Sequence, residues 1–173
     1  GDFTIEGWVA WNFSEGYGDQ ARLLDFGNGA SIDNVVLALS SGTSGRPYMA
    51  VVNDGVSSSV EAPVKLPLTR VFHNSPRPVH LACTLSNTTG RIYIDGILVA
   101  TGPLTAPRAV IRTNNFIGRS NWPADANARA EFDEVRIWHV ARSEAEIQDN
   151  MCRPLTGMEA GLQAYWRCDD PDG

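Results

Sequence analysis

The chain has 173 residues, 43% of them hydrophobic, with a formal net charge of -6 and a pI near 5.0. That length carries one domain with a substantial core and is short for two; no apolar run reaches the roughly 18 to 20 residues that a membrane-crossing helix needs. The acidic balance and the lack of a basic cluster exclude a nucleic-acid backbone as the partner.

Residues 1 to 20 show neither the basic start nor the continuous apolar segment of a signal peptide, so any targeting segment is expected outside the chain. Phe3 to Trp11 alternates with period 2, which predicts a strand with Phe3, Ile5, Val9 and Trp11 on one face. Asn12 to Gln20 is a loop rich in turn-formers, and Ala21 to Phe26 resumes as a strand before the turn Gly27-Asn28-Gly29. Val35 to Leu39, Tyr48 to Val52, and Ser58 to Val60 with Val64 to Leu66 continue the series. Pro67 to Pro78 is proline-rich, cannot donate a full ladder of hydrogen bonds, and is placed as a crossing between sheets. Val79 to Leu85, Arg91 to Asp95 and Ile97 to Thr101 form two successive hairpins turned by Asn87-Thr88-Thr89-Gly90 and by Asp95-Gly96. Phe116 to Gly118 is a short strand, followed by a polar loop from Arg119 to Arg129.

The last third reads as a strand, a short helix and a returning strand. Glu131 to Trp138 has the β-branched and aromatic content of a half-buried strand. Ser143 with Glu146 three residues on is a capping box, and Pro154 and Gly157 stop the helix within about three turns. Leu162 to Trp166 closes the clasp. Short strands recurring every 8 to 12 residues or so, with one helix near the C-terminus, predict an all-β, antiparallel two-sheet jelly-roll sandwich.

Of the three cysteines, Cys83 shares a strand face with Leu81 and Leu85 and reads as a buried, inert thiol. Cys152 follows the helix and Cys168 follows the last strand. A bridge between them would close a loop of about 15 residues, worth on the order of 3 kcal/mol in the chain-entropy model; two free thiols are the alternative.

The order Phe3-Thr4-Ile5-Glu6-Gly7-Trp8-Val9, Asp25-Phe26-Gly27-Asn28-Gly29, Arg91-Ile92-Tyr93-Ile94-Asp95-Gly96, Phe116-Ile117-Gly118-Arg119-Ser120, Phe132-Asp133-Glu134-Val135-Arg136-Ile137-Trp138 and Gly161-Leu162-Gln163-Ala164-Tyr165-Trp166 resembles the laminin G-like, concanavalin A-like jelly-roll domains. The resemblance runs nearly the whole length and implies a single domain over residues 1–173. Members bind sugars, proteins or lipids, or space other domains, so the fold implies no one function. The chain departs from the family pattern in two ways. It has no residues for a strand before Phe3, which implies a piece of a longer protein and an unpaired sheet edge beside the closing strand. It also has Cys168 where an aromatic is usual, an exchange that a bridge to Cys152 would explain.

Jelly-roll glucanases use E-x-D-x-E or E-x-D-x-x-E on one strand face. Glu131 and Asp133 fill the first two places, but Val135 and Arg136 occupy the third. Retaining hydrolysis needs two carboxyls about 5 Å apart, so a glucanase is not expected. Asp133 and Glu134 are instead expected to pair arginines or fix loop amides. The histidines His73, His80 and His139 form no metal-binding or triad spacing, so the expectation is a non-enzyme.

The resemblance also implies calcium at a loop rim, with Asp25, Asn28, Asp133, Asp169 and Asp170 as candidate oxygen ligands; ordinary turn and capping roles are the alternative. For a glycan, the loop aromatics Tyr17 and Trp122 can stack on a sugar face, with Asn121, Asp125 and Asn127 supplying hydrogen bonds. Trp8, Trp11, Trp138 and Trp166 lie in strands and read as core. Asn12-Phe13-Ser14 and Asn87-Thr88-Thr89 match the glycosylation acceptor pattern, and together with the bridge open to Cys152 and Cys168 they lead to the expectation of a place outside the cell or on its surface. The expected function is recognition of a glycan or an extracellular protein through rim loops. The alternative is a structural or assembly domain of an appendage, coat or filament, held by neighbouring domains of the same chain.

Overall fold

The computed structural model describes residues 1–11, 20–42, 44–66 and 78–169. Two antiparallel sheets face each other. The first has the order β11-β10-β1-β6-β7-β8, built from β1 (Phe3–Trp11), β6 (Val79–Ser86), β7 (Thr89–Ile94), β8 (Ile97–Pro103), β10 (Ala130–Trp138) and β11 (Leu162–Trp166). The second has the order β5-β4-β3-β2-β9, built from β2 (Arg22–Gly27), β3 (Asn34–Ala38), β4 (Tyr48–Asn53), β5 (Val56–Glu61) and β9 (Asn114–Ile117). The jelly-roll sandwich predicted from strand spacing is therefore the fold.

Period-2 alternation decides what each sheet turns inward. Ile5, Val9, Leu81, Cys83, Leu85, Ile92 and Val135 from the first sheet meet Leu24, Val35, Leu37, Met49, Val51 and Val60 from the second in one dry core. Burial lifts the Cys83 thiol well above the ordinary range, so it stays protonated and inert, as expected. A register shift in β2 between Arg22 and Leu24 buries both Leu23 and Leu24 and leaves Arg22 on the outer face, paired across to Ala38. A second shift lies between β1 and β10. There Glu134 adopts φ 50 and bulges opposite Gly7, whose absent side chain leaves room for Val135.

The helix α1 (Glu144–Asn150) starts on the expected capping box of Ser143 and Glu146. It lies on the outer face of the first sheet, where Ile147 is buried against Ala82 and Tyr93. Its far end is held by the Trp8 indole N–H, which donates to the Met151 carbonyl at 2.7 Å, and by Arg136, which donates to the carbonyls of Asn150 and Arg153. The turn Asp95-Gly96 runs beneath the helix, with Gly96 at φ 76 and its Cβ position 2.8 Å from Gln148 Cγ. Gly96→Ala is therefore expected to cost about 2 kcal/mol through left-handed strain and helix displacement, read as a lower denaturation midpoint. An unchanged midpoint would show that the helix gives way freely.

Several expectations need correction. Val64 to Leu66 is not a strand; pairing with β4 ends at Glu61, and Pro63 can offer the ladder no N–H. Cys152 and Cys168 are both free and exposed, so the expected bridge is not formed. Arg136 and Trp8 tie the helix end without it, while Cys168, at φ 57, turns its sulfur toward the Trp166 carbonyl. Trp166 is 39% exposed on the edge strand and is not core, whereas Trp138 is buried as expected. The predicted loop over 12–19, most of the proline-rich crossing and the Trp11 side chain lie outside the described residues.

Candidate functional site

The helix α1 covers part of the first sheet's outer face; on the second sheet the outer face carries the loop that follows β9, and its outward residues Val36, Ala50 and Val52 are buried. Register places its outward residues in rows across the strands. Ser59, Ala50, Val36, Asp25 and Phe116 form one row, and Ser57, Val52, Asn34, Gly27 and Asn114 another. The middle of this face is small and apolar, and Trp122 from the loop after β9 packs onto Val36, Ala38 and Ala50 beside Tyr48.

Two carboxylates hold that loop. Asp25 is fully buried; its Oδ1 accepts from Asn34 at 3.0 Å and from the Asn121 side chain at 2.8 Å, and its Oδ2 accepts from the Asn121 backbone N–H at 2.9 Å. Asp125 Oδ2 accepts from Ser120 Oγ at 2.7 Å and from Arg22 Nη2 at 2.8 Å. Arg22, almost wholly buried, also donates to the Tyr48 hydroxyl at 2.7 Å and to Gln20 at 3.0 Å. Its guanidinium lies 5.6 Å from the ring centres of both Tyr48 and Trp122. One arginine thus joins the strand platform to the loop by charge, hydrogen bond and ring contact. Burial raises the Tyr48 phenol above its ordinary range, against the opposing effect of Arg22, so Tyr48 is neutral and donates to Gln20 Oε1 at 2.6 Å.

Beside the loop opens a cavity of about 490 Å³ whose lining includes Asn114, Phe116, Arg119, Asn121, Trp122, Asp125 and Asn127. The four candidates Asn121, Trp122, Asp125 and Asn127 therefore share one cavity, and Tyr17 lies outside the described residues. Sequence reasoning missed Arg22, Tyr48, Phe116 and Arg119. Alternation along β9 gives Phe116 an outward position, but the pairing of Arg22 with Asp125 joins residues 103 positions apart and leaves no local mark. Arg119 stacks its guanidinium 4.8 Å from the Phe116 ring centre, so both groups present themselves together.

The calcium candidates do not gather at one place: Asp133 and Asp169 lie near each other, and Asp25 and Asn28 belong to the other sheet. Asp25 is filled by N–H donors, which is the wrong lining for a cation. The Asn28 side chain is spent on the Ile111 carbonyl and the Thr113 amide. Asp133 lies on β10 in the other sheet, its carboxyl pushed upward by burial and by Glu134 and Asp169, while Asp169 pairs with Arg167. Asp170 lies outside the described residues, among which no group of three or more acidic, histidine or cysteine side chains is arranged to hold a metal. Among the described residues, the candidates do not form a calcium-binding set.

On the first sheet, Glu134 does pair Arg136 and accepts from the Tyr165 hydroxyl at 2.6 Å. The would-be third glucanase position is Val135, in the core, or Arg136, fully buried in this ion network. Asn87 is exposed on the β6–β7 turn, at φ 53; Asn12 lies outside the described residues.

No curated protein sequence matches the chain. Among solved structures, a candidate carbohydrate-binding protein of Bacteroides ovatus superposes with a TM-score of 0.69 at 19% identity, covering 96% of this chain but only 45% of that one. The CBM40 domain of a Ruminococcus gnavus sialidase, solved with α2,3-sialyllactose, gives 0.64 at 18% identity over 87% of this chain and 82% of its own. A tailspike protein of an Escherichia coli O157:H7 bacteriophage gives 0.62 at 16% identity, and 97% of this chain spans 24% of it. These likenesses concern fold. The laminin G-like family model matches residues 1–148, and the chain therefore belongs to that family of the concanavalin A-like lectin/glucanases superfamily.

Proposed function

We propose that this domain is a non-catalytic glycan-recognition module acting outside the cell or on its surface. The observation that carries the reading is the convergence of Asn121, Trp122, Asp125 and Asn127, with Phe116 and Arg119, on one cavity of about 490 Å³. Such a wall pairs aromatic surface with amide and guanidinium hydrogen-bonding groups, which is what a sugar's apolar ring face and hydroxyl rim require. A sialidase module of the same fold bound to a sialylated sugar, and a candidate carbohydrate-binding neighbour, support it. The missing third carboxylate on β10 supports the non-catalytic part.

A glycan array followed by calorimetry tests the reading. Trp122→Ala is expected to weaken binding at least tenfold, and Asn127→Ala, at an exposed position, several-fold with an unchanged melting curve. Absence of binding across the array by folded protein would remove the reading. An assembly role then leads, since β11 and β8 end their sheet and Trp166 stands exposed on β11.

A further inference from the structure

Resting on the glycan reading, we propose that the site takes an internal stretch of an oligosaccharide, laid across the strands of the second sheet with sugar positions on both sides of Trp122, and not a single terminal sugar. A second cavity of about 270 Å³ adjoins the first, and both are walled by Trp122 and Asp125. Its lining comes from four successive strands: Arg22 on β2, Val36 on β3, Tyr48, Ala50 and Val52 on β4, and Ser57 on β5. The first cavity begins at Asn114 and Phe116 on β9, the strand on the other side of β2. The two together cross all five strands. Four inter-strand steps of about 4.8 Å give a path of roughly 19 Å, room for about four sugars at about 5 Å each.

The chemistry of the floor agrees. Val36 and Ala50 are small and paired side by side across β3 and β4, with Val52 in the next row; Trp122 packs on the first two, and all three contribute to the wall of the second cavity. The Tyr48 hydroxyl flanks this floor, and the exposed Ser57 marks its far end. Trp122 stands between the halves on a mount that Arg22 and Asp125 fix.

The test uses ladders of one to six residues of 1,4-linked glucose, xylose and galacturonic acid and 1,5-linked arabinose, titrated into the domain and into Ser57→Leu and Asn114→Leu. Both substitutions are at exposed strand positions at opposite ends of the path. In the ladder that binds, affinity is expected to rise at least tenfold from one residue to four and then level off. Ser57→Leu should abolish most of that rise while leaving the affinity for the shortest binding member unchanged. Length-independent affinity, with Ser57→Leu without effect, would overturn the proposal and leave the glycan reading standing. Failure of all ladders and of the array together would overturn both.

Discussion

Asp25→Ala is expected to destabilise the domain by about 3 kcal/mol and to abolish the glycan binding proposed for it at temperatures where the protein is still folded. The carboxylate is fully buried and receives three hydrogen bonds, two from Asn121 and one from Asn34, with Arg22 Nε 3.8 Å away. Removing it strands those donors in a dry site, and a buried donor left unpaired costs about 1–3 kcal/mol. The loss falls unevenly. Arg22 keeps Asp125, Tyr48 and Gln20, so the platform survives, whereas the Asn121 backbone loses the acceptor that pins the loop onto β2. Asp25→Asn, which retains one acceptor oxygen, should fall between wild type and alanine. Denaturant melts together with calorimetry on the same samples separate the two effects. Full-affinity binding by folded Asp25→Ala would show that the loop is held by Arg22 and Asp125 alone.

Acidification from pH 6.5 to 4.5 is expected to cost about 2 kcal/mol of stability through His80. This imidazole lies on the outer face of the first sheet, edge-on to Trp8 at 5.3 Å between ring centres, with its Nδ1 unpartnered. Burial, followed by the positive charges of Arg136 and Arg142, pulls its pKa from 6.5 to about 3. Glu6 Oε2 lies 3.8 Å from its Nε2, while the Trp138 indole, Arg142 and Arg136 gather on the other carboxylate oxygen, Oε1. An imidazole that protonates near 6.5 when unfolded but only near 3 when folded gives the unfolded chain the extra proton between those values. Stability is thus complete above pH 6.5 and falls as pH falls through the window. Glu6 acts in the opposite sense: burial outweighs its arginines and raises its pKa, so the folded state takes up that proton first and offsets part of the loss. His80→Gln should flatten the stability profile between pH 6.5 and 4.5. An equal loss in wild type and variant would assign the acid sensitivity elsewhere.

The Glu6 network also explains why the clasp stands without a disulfide. Arg142 lies 4.1 Å from the Trp138 ring centre and donates to Glu6 and to the Glu146 carbonyl, so the strand, the turn and the helix share one buried cation. Arg136 does the same for the helix end. Both are enclosed, where a charge pair is screened little by salt. The bridge expected between Cys152 and Cys168 would have duplicated a connection that these two arginines already make.

The sequence by itself determined the elements whose causes are local. Alternation along Phe3 to Trp11 and Val79 to Leu85 sorts inward from outward residues because strand side chains repeat every two positions. Asp95-Gly96 turns its hairpin, and Ser143 with Glu146 starts the helix, through contacts only a few residues apart. The loop holding Asn121, Trp122, Asp125 and Asn127 was legible for the same reason, since its polar and aromatic residues lie within one short segment. The tertiary structure alone decided how those residues are used. The Asp25 contacts to Asn121 span 96 positions and the Arg22 contact to Asp125 spans 103, and neither partner announces the other. Asp25 looked like a cation ligand because a carboxylate in a turn-rich stretch is equally suited to a metal or to N–H donors; only packing, which supplied the donors, chose between them.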